Sequence, residues 1–251
     1  MSKTIVITGA SAGIGAATAR LLGSSKENNL VVAARRSGEL NAVARESGAK
    51  AVVADVTRRV DVERIRDEAL RAFGSVDVWI NNAGRGITRS VLDLTDEDFD
   101  EMMRVNVKSA LYGMQAIVPH FIERGRGHVI NVSSFLGRVP IAAHRSAYNA
   151  AKAALNALTA NLRADLQREH PGIHVSLIMP GLVSTEFARN VLGTPSSAAP
   201  PWMAGAAMKP QTAEEVAGAI ARAIERPVAE VYTNPASAEM VRKYFEELAK
   251  T

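Results

Sequence analysis

Thr4-Ile-Val-Ile-Thr8-Gly-Ala-Ser-Ala-Gly13-Ile-Gly15-Ala-Ala-Thr-Ala-Arg-Leu-Leu22 is the stretch whose reading decides the fold. Its first five residues form a short apolar, β-branched run ending at a glycine, the pattern of a strand buried on both faces. From Gly13 the pattern becomes helical. Between the two, Gly9, Gly13 and Gly15 permit a tight turn and a close approach of backbone to a ligand, and the helix start offers free amides and a positive dipole end to a pyrophosphate. The spacing is GxxxGxG rather than GxGxxG. A glycine turn with no ligand is the competing reading, and the strand–turn–helix setting disfavours it. Gly9, Ser11, Ala12, Gly13, Ile14 and Gly15 are therefore the candidate phosphate-binding loop.

Outward from this unit, strand-like runs at 4–8, 30–35, 51–54, 76–81, 129–132, 175–179 and 229–232 alternate with helical patterns near 13–26, 38–47, 58–73, 95–123, 146–169, 212–225 and 237–249. Repeated strand–helix alternation predicts an α/β fold, a Rossmann-type doubly wound parallel sheet with helices on both faces. No composition shift marks a linker, so residues 1–251 read as one domain. Residues 190–210 are rich in Pro, Ser, Gly and Ala and carry Trp202, Met203 and Met208. They read as a long loop of functional type; about 186–210 is taken as a substrate loop and about 237–249 as a C-terminal helix.

Composition narrows the function classes. Hydrophobic residues make up 47% and charged residues 22%, ordinary for a globular protein. There is no cysteine, which excludes disulfides and thiolate chemistry. Lys and Arg number 30 against 26 acids, a net charge of +4. The basic residues are interspersed with acids, as in Arg58-Arg-Val-Asp-Val-Glu-Arg-Ile-Arg-Asp-Glu68, so a nucleic-acid partner is not expected. No stretch is long and apolar enough to span a bilayer. With the first strand beginning near Thr4, a soluble, cytoplasmic protein is expected. The five histidines have no ligand-like spacing, and no metal is expected.

A second stretch carries chemistry: Asn131-Val-Ser-Ser-Phe-Leu-Gly137, followed by Ser146-Ala-Tyr-Asn-Ala-Ala-Lys152. Tyr148 and Lys152 stand at i and i+4 and share a helix face. A phenol titrates near ~10; a neighbouring cation favours the phenolate and lowers that value, giving an acid–base group usable near neutral pH. Ser133 and Ser134, at the strand end, could offer a hydroxyl to the same oxygen. Alone, this is a common helical pair.

Taken together, Thr8 to Gly15, Asn81-Asn-Ala-Gly84, Asn106, Ser134 with Tyr148-Asn-Ala-Ala-Lys152, and Pro180-Gly181 occur in an order that resembles the short-chain dehydrogenase/reductase family. The resemblance implies a nicotinamide dinucleotide and a catalytic set of Asn106, Ser134, Tyr148 and Lys152. In that pattern Asn106 bends its helix and holds a water near Lys152, and Ser134 rather than Ser133 holds the substrate oxygen. Asp55 would bind the adenine amino group and Val56 pack on the ring. Asn82, Ala83 and Gly84 would border the cofactor, as would Pro180, Gly181, Val183 and Thr185. After the second strand stand Arg35 and Arg36 with no acid. An arginine there accommodates a 2′-phosphate, so NADP(H) is expected, although Ala12 replaces a second basic position found in some NADP members. The implied activity is hydride transfer between NADP(H) and a small-molecule carbonyl or alcohol, with His144 and Arg145 among the residues deciding which. A non-catalytic dinucleotide-binding regulatory or scaffold protein is the alternative. The helices carrying Asn106 and Tyr148 are the family's usual contact surface, implying a homodimer or homotetramer.

Overall fold

The computed structural model describes residues 2–25, 27–185, 191–192 and 209–250. Trp202, Met203, Met208 and most of the expected 186–210 loop lie outside the described residues.

The chain runs β1 (Thr4–Thr8), α1 (Gly13–Gly23), β2 (Asn29–Ala34), α2 (Ser37–Ser47), β3 (Lys50–Val53), α3 (Arg59–Phe73), β4 (Val78–Asn81), α4 (Asp96–Met103), α5 (Ser109–Arg124), β5 (Gly127–Val132), α6 (Ser146–Gln167), β6 (Ile173–Met179), α7 (Ala213–Glu225), β7 (Glu230–Tyr232) and α8 (Pro235–Leu248). The strands form one seven-stranded sheet in the order β3-β2-β1-β4-β5-β6-β7, and every pairing is parallel. This is the doubly wound Rossmann-type arrangement. The chain winds from β1 to β3 on one side, then returns to place β4 on the other. The crevice at that reversal, at the carboxyl ends of β1 and β4, is where such sheets bind ligands.

The inner strands are largely apolar because both faces are covered. Within β1, Ile5 and Ile7 enter the core under α1, α2 and α7. Val6 points the other way, into the core with α3 and α5, beside Trp79, Ile117 and Phe121. The period of two along a strand sends alternate residues to opposite faces, so a continuous apolar run serves both layers.

Two elements depart from the sequence reading. The helix expected over 95–123 is broken by a π-helical turn at Arg104–Lys108; such single turns collect at functional sites. The last helix begins earlier than expected, at Pro235, because Asn234 caps it by accepting from the Ala236 amide at 3.0 Å and proline sits in its first turn.

A buried polar chain crosses the sheet centre. Trp79 Nε1 donates to Asn81 Oδ1 at 2.8 Å, Asn81 Nδ2 to Asn131 Oδ1 at 2.9 Å, and Asn131 Nδ2 to Thr159 Oγ1 at 2.9 Å. Helix α5 can lie against it only at a glycine. A Cβ on Gly113 would sit 2.1 Å from Asn81 Oδ1 and 2.6 Å from Trp79 Nε1. Gly113→Ala is therefore expected to destabilise the fold by about 1–3 kcal/mol through overpacking, read as a lower urea midpoint. An unchanged midpoint would contradict the packing described.

Candidate active site

A cavity of about 600 Å³ opens along the carboxyl edge of the sheet, from Arg35 and Asp55 at one end to Tyr148 and Lys152 at the other. That volume suits a cofactor-sized ligand.

Its floor is the glycine turn. Gly9 and Gly13 take φ of +66° and +54°, the left-handed region where a side chain is strained. A Cβ on Gly9 would meet Ala83 Cα at 2.6 Å. Asn82 holds the turn to β4: its Nδ2 donates to Thr8 O at 2.9 Å and Gly9 O at 3.2 Å. Helix α1 starts at Gly13, its cap residue Ala12 makes no side-chain hydrogen bond, and its first turn contains no acid. The amides of that turn suit an anion. Ser11, Ala12, Gly13 and Ile14 line the cavity.

At the far end of the loop the two arginines differ. Arg36 donates to Ser11 Oγ at 3.2 and 3.3 Å and pairs with Glu39 at 3.3 Å. Arg35 lines the cavity and has no hydrogen-bond or ion-pair partner among the described residues. Asp55 Oδ1 accepts from the Thr57 amide and hydroxyl at 3.0 and 2.8 Å, a turn that presents Val56 to the cavity. The opposite wall carries Pro180, Gly181, Val183 and Thr185. A bridge between Val183 and Gln211 ties this segment to the chain entering α7.

At the reactive end, β5 and α6 converge. The Ser134 hydroxyl lies beside the Tyr148 phenol, where it favours the ionised form, and accepts from the Leu136 amide at 3.2 Å. Ser133 turns the other way, donating to Asn156 Oδ1 at 2.5 Å. Two adjacent serines therefore have separate roles, which the strand's alternation explains. Burial pushes the Tyr148 phenol up to about 12, opposed by the Ser134 hydroxyl and the Arg145 charge. Burial pushes the Lys152 ammonium down to about 8. Its Nζ donates to Val132 O at 3.0 Å and stands 5.7 Å from the centre of the Tyr148 ring. The sequence reading expected the lysine to lower the tyrosine. The helix face is shared as expected, but the ammonium is turned to the strand carbonyl, and burial dominates the phenol.

Known proteins share this architecture. Residues 3–195 match the short chain dehydrogenase family. An uncharacterized oxidoreductase of Staphylococcus epidermidis is 36% identical over 185 residues, covering 73% of this chain and 79% of its own. The chain belongs to the short-chain dehydrogenase family. A family member from Burkholderia phymatum, solved in complex with NAD, superposes with a TM-score of 0.87 at 28% identity, over 99% of this chain and 94% of its own. An alcohol dehydrogenase from Thermococcus sibiricus complexed with 5-hydroxy-NADP gives 0.77 at 26% identity, over 93% and 97%.

Of the residues singled out in this short-chain dehydrogenase, most border one cavity: Gly9 to Ile14 apart from Ala10, Arg35, Arg36, Asp55, Val56, Asn82 to Gly84, Ser134, Tyr148, Lys152, Pro180, Gly181, Val183 and Thr185. Two stand behind its wall. Gly15 supports the turn, since a Cβ there would meet Asn82 Nδ2 at 2.5 Å. Asn106 is fully buried in the π-helical turn. Its Nδ2 donates to Arg85 O at 2.9 Å and Met102 O at 3.1 Å, and its Oδ1 accepts from the Arg85 amide at 3.1 Å. It lies within the π-helical turn, and its amide is engaged with protein groups that brace the Gly84–Arg85 backbone. The sequence reading missed Asn156, although its place one turn beyond Lys152 on α6 was a usable signal. It also missed Arg85, which no local pattern distinguishes.

Removing the Ser133 hydroxyl would leave Asn156 Oδ1 without its donor in the core, so Ser133→Ala should cost about 1–3 kcal/mol. Ser134 faces the cavity, where water can replace it; Ser134→Ala should cost less than about 1 kcal/mol. Equal losses in denaturant melts would contradict the division of labour between the two.

Proposed function

We propose that this protein is an NADP(H)-dependent oxidoreductase that reduces a carbonyl to an alcohol, or runs the reverse, with Tyr148 as the acid–base. The observation that carries the reading is the placing of the Ser134 hydroxyl and the Tyr148 phenol together at the end of a cavity that begins on the glycine turn. The residues present fit a dinucleotide. The uncapped start of α1 suits a pyrophosphate, and the walls at Val56 and Val183 are apolar. Arg35, with its guanidinium open to the cavity, suits a 2′-phosphate. The solved relatives with NAD and 5-hydroxy-NADP bound support the class of cofactor. Bound there, the nicotinamide supplies or accepts the hydride.

The chain's own residues do the rest. A phenol pushed up to about 12 is protonated at neutral pH, so Tyr148 is ready to give a proton to a carbonyl oxygen gaining negative charge. Ser134 donates a second hydrogen bond to that oxygen, stabilising the charge as it develops. Once Tyr148 has given up its proton, the phenolate is favoured by Arg145; Lys152, largely cationic at pH 7 for a value of about 8, adds a positive charge on the same helix face. Asn106 acts as a positioning residue, holding the Gly84–Arg85 backbone that borders the site.

Tyr148→Phe is expected to lower kcat at least about 100-fold while NADPH affinity, measured by fluorescence titration, stays within about threefold. Substantial residual reductase activity would refute the role. Unchanged NADPH binding with no turnover of any carbonyl by the wild-type enzyme would instead favour a dinucleotide-binding protein without chemistry. Arg35→Asp should move the NADPH/NADH ratio of kcat/KM toward NADH by roughly tenfold or more; an unchanged ratio would remove Arg35 from cofactor selection.

A further inference from the structure

Three arginines gather where the segment after β4 meets the start of α6, and they are not equivalent. Arg85 pairs with Glu101 at 3.3 Å and Arg89 with Asp98 at 2.5 Å. Arg145 has no carboxylate partner among the described residues. Its Nη1 donates to Ile87 O at 3.3 Å, and the phenol of Tyr148 is the charge partner that acts on it. Arg145 lines the cavity together with His144 and Tyr148. It stands three residues before Tyr148 at the start of α6, a spacing that puts both side chains on one side of the first turn.

We propose that Arg145 is the anion-recognising residue of the substrate end, so that the carbonyl compound handled here carries a carboxylate close to the reacting carbon. This rests on the oxidoreductase reading above and names its substrate class. A half-buried guanidinium without a counter-charge is costly. Burial holds it below the usual guanidinium range, consistent with a cation missing its anion. One of its five N–H groups is used by Ile87, leaving an edge of the planar fork for a carboxylate. The acid that lines the cavity among the described residues is Asp55, at the opposite end and already bonded to Thr57. Nothing described near Arg145 would repel an anion. His144, its imidazole held toward the neutral form by burial and the Arg145 charge, supplies a neutral neighbour. One guanidinium beside one neutral ring matches a singly charged group.

The anchorage also fixes distance. The Arg145 amide donates to Ala142 O at 2.9 Å, and its backbone is bridged to Arg89. The guanidinium is thus held against Ile87 rather than swinging in solvent. An anion bound to it lies near Tyr148, which keeps the separation between the carboxylate and the reacting carbonyl short.

The test uses two matched pairs, 4-oxopentanoate with its methyl ester and pyruvate with methyl pyruvate, assayed by NADPH consumption. Because the Arg145 charge also acts on Tyr148, its removal lowers turnover of acid and ester alike. The ratio of their kcat/KM values cancels that effect. In the wild-type enzyme the acid should be favoured by roughly tenfold or more in at least one pair. In Arg145→Gln that preference should vanish, mainly through KM, and Arg145→Lys should restore part of it. Wild-type preference for both esters, or a ratio unchanged in Arg145→Gln, overturns the inference while leaving the oxidoreductase reading standing. If neither pair is reduced, calorimetric titration of the NADP-loaded protein with 4-oxopentanoate decides. Binding lost in Arg145→Gln supports anion recognition by Arg145, and then the proposed turnover is what fails. No binding to the wild-type protein overturns the inference.

Discussion

The geometry of the candidate site depends on a polar seam between the end of β5 and one face of α6. Three consecutive strand residues are tied to that face. Asn131 Nδ2 reaches Thr159 Oγ1, the Val132 carbonyl accepts from Lys152 Nζ, and Ser133 Oγ reaches Asn156 Oδ1. The helix residues 152, 156 and 159 are spaced by four and three, one stripe of an α-helix. On the strand, Asn131 and Ser133 point toward α6 while the Val132 side chain enters the opposite core, so that middle residue can contribute only its carbonyl. The seam sets how far α6 slides along β5. That register decides that Tyr148, one turn before Lys152, meets Ser134.

A buried polar seam carries a cost if any member is unmatched. Here Asn156 Nδ2 and Asn149 Oδ1 have no hydrogen-bond partner among the described residues. Both belong to the site-bearing helix. An apolar stripe would bind α6 to the sheet as strongly, but would allow several side-chain packings at similar energy. Directional hydrogen bonds select one register, and a reaction centre needs its donor and acceptor placed to a fraction of an ångström. Burial pushes the phenol of Tyr148 up and the ammonium of Lys152 down. Both shifts have the same origin: the pair sits where charge is poorly solvated, so neighbouring groups act on it more strongly than they would in water.

The two ends of the cavity differ in what they offer an anion. At the glycine turn the available groups are backbone amides and a helix end, beside a Gly9 in the left-handed conformation. At the α6 end the positive charge is that of a side chain, Arg145, steadied by the Ile87 carbonyl. The asymmetry suits a ligand whose one end is extended and whose other end varies.

The amino-acid sequence by itself determined the sheet and its helices, because period-two and period-3.6 burial patterns are local and repeat along the chain. It also determined which positions needed glycine, and that Tyr148 and Lys152 share a helix face. Tertiary structure decided what depends on contacts between distant segments. Ser133 and Ser134 are chemically identical in sequence, and only the packing of α6 on β5 separates their roles. Asn106 looks like a misplaced helix residue until Arg85, 21 positions away, is seen to occupy its amide. The hold of the Val132 carbonyl on Lys152 was equally hidden, because direction of burial and choice of partner are set by the folded surroundings and not by spacing along one helix.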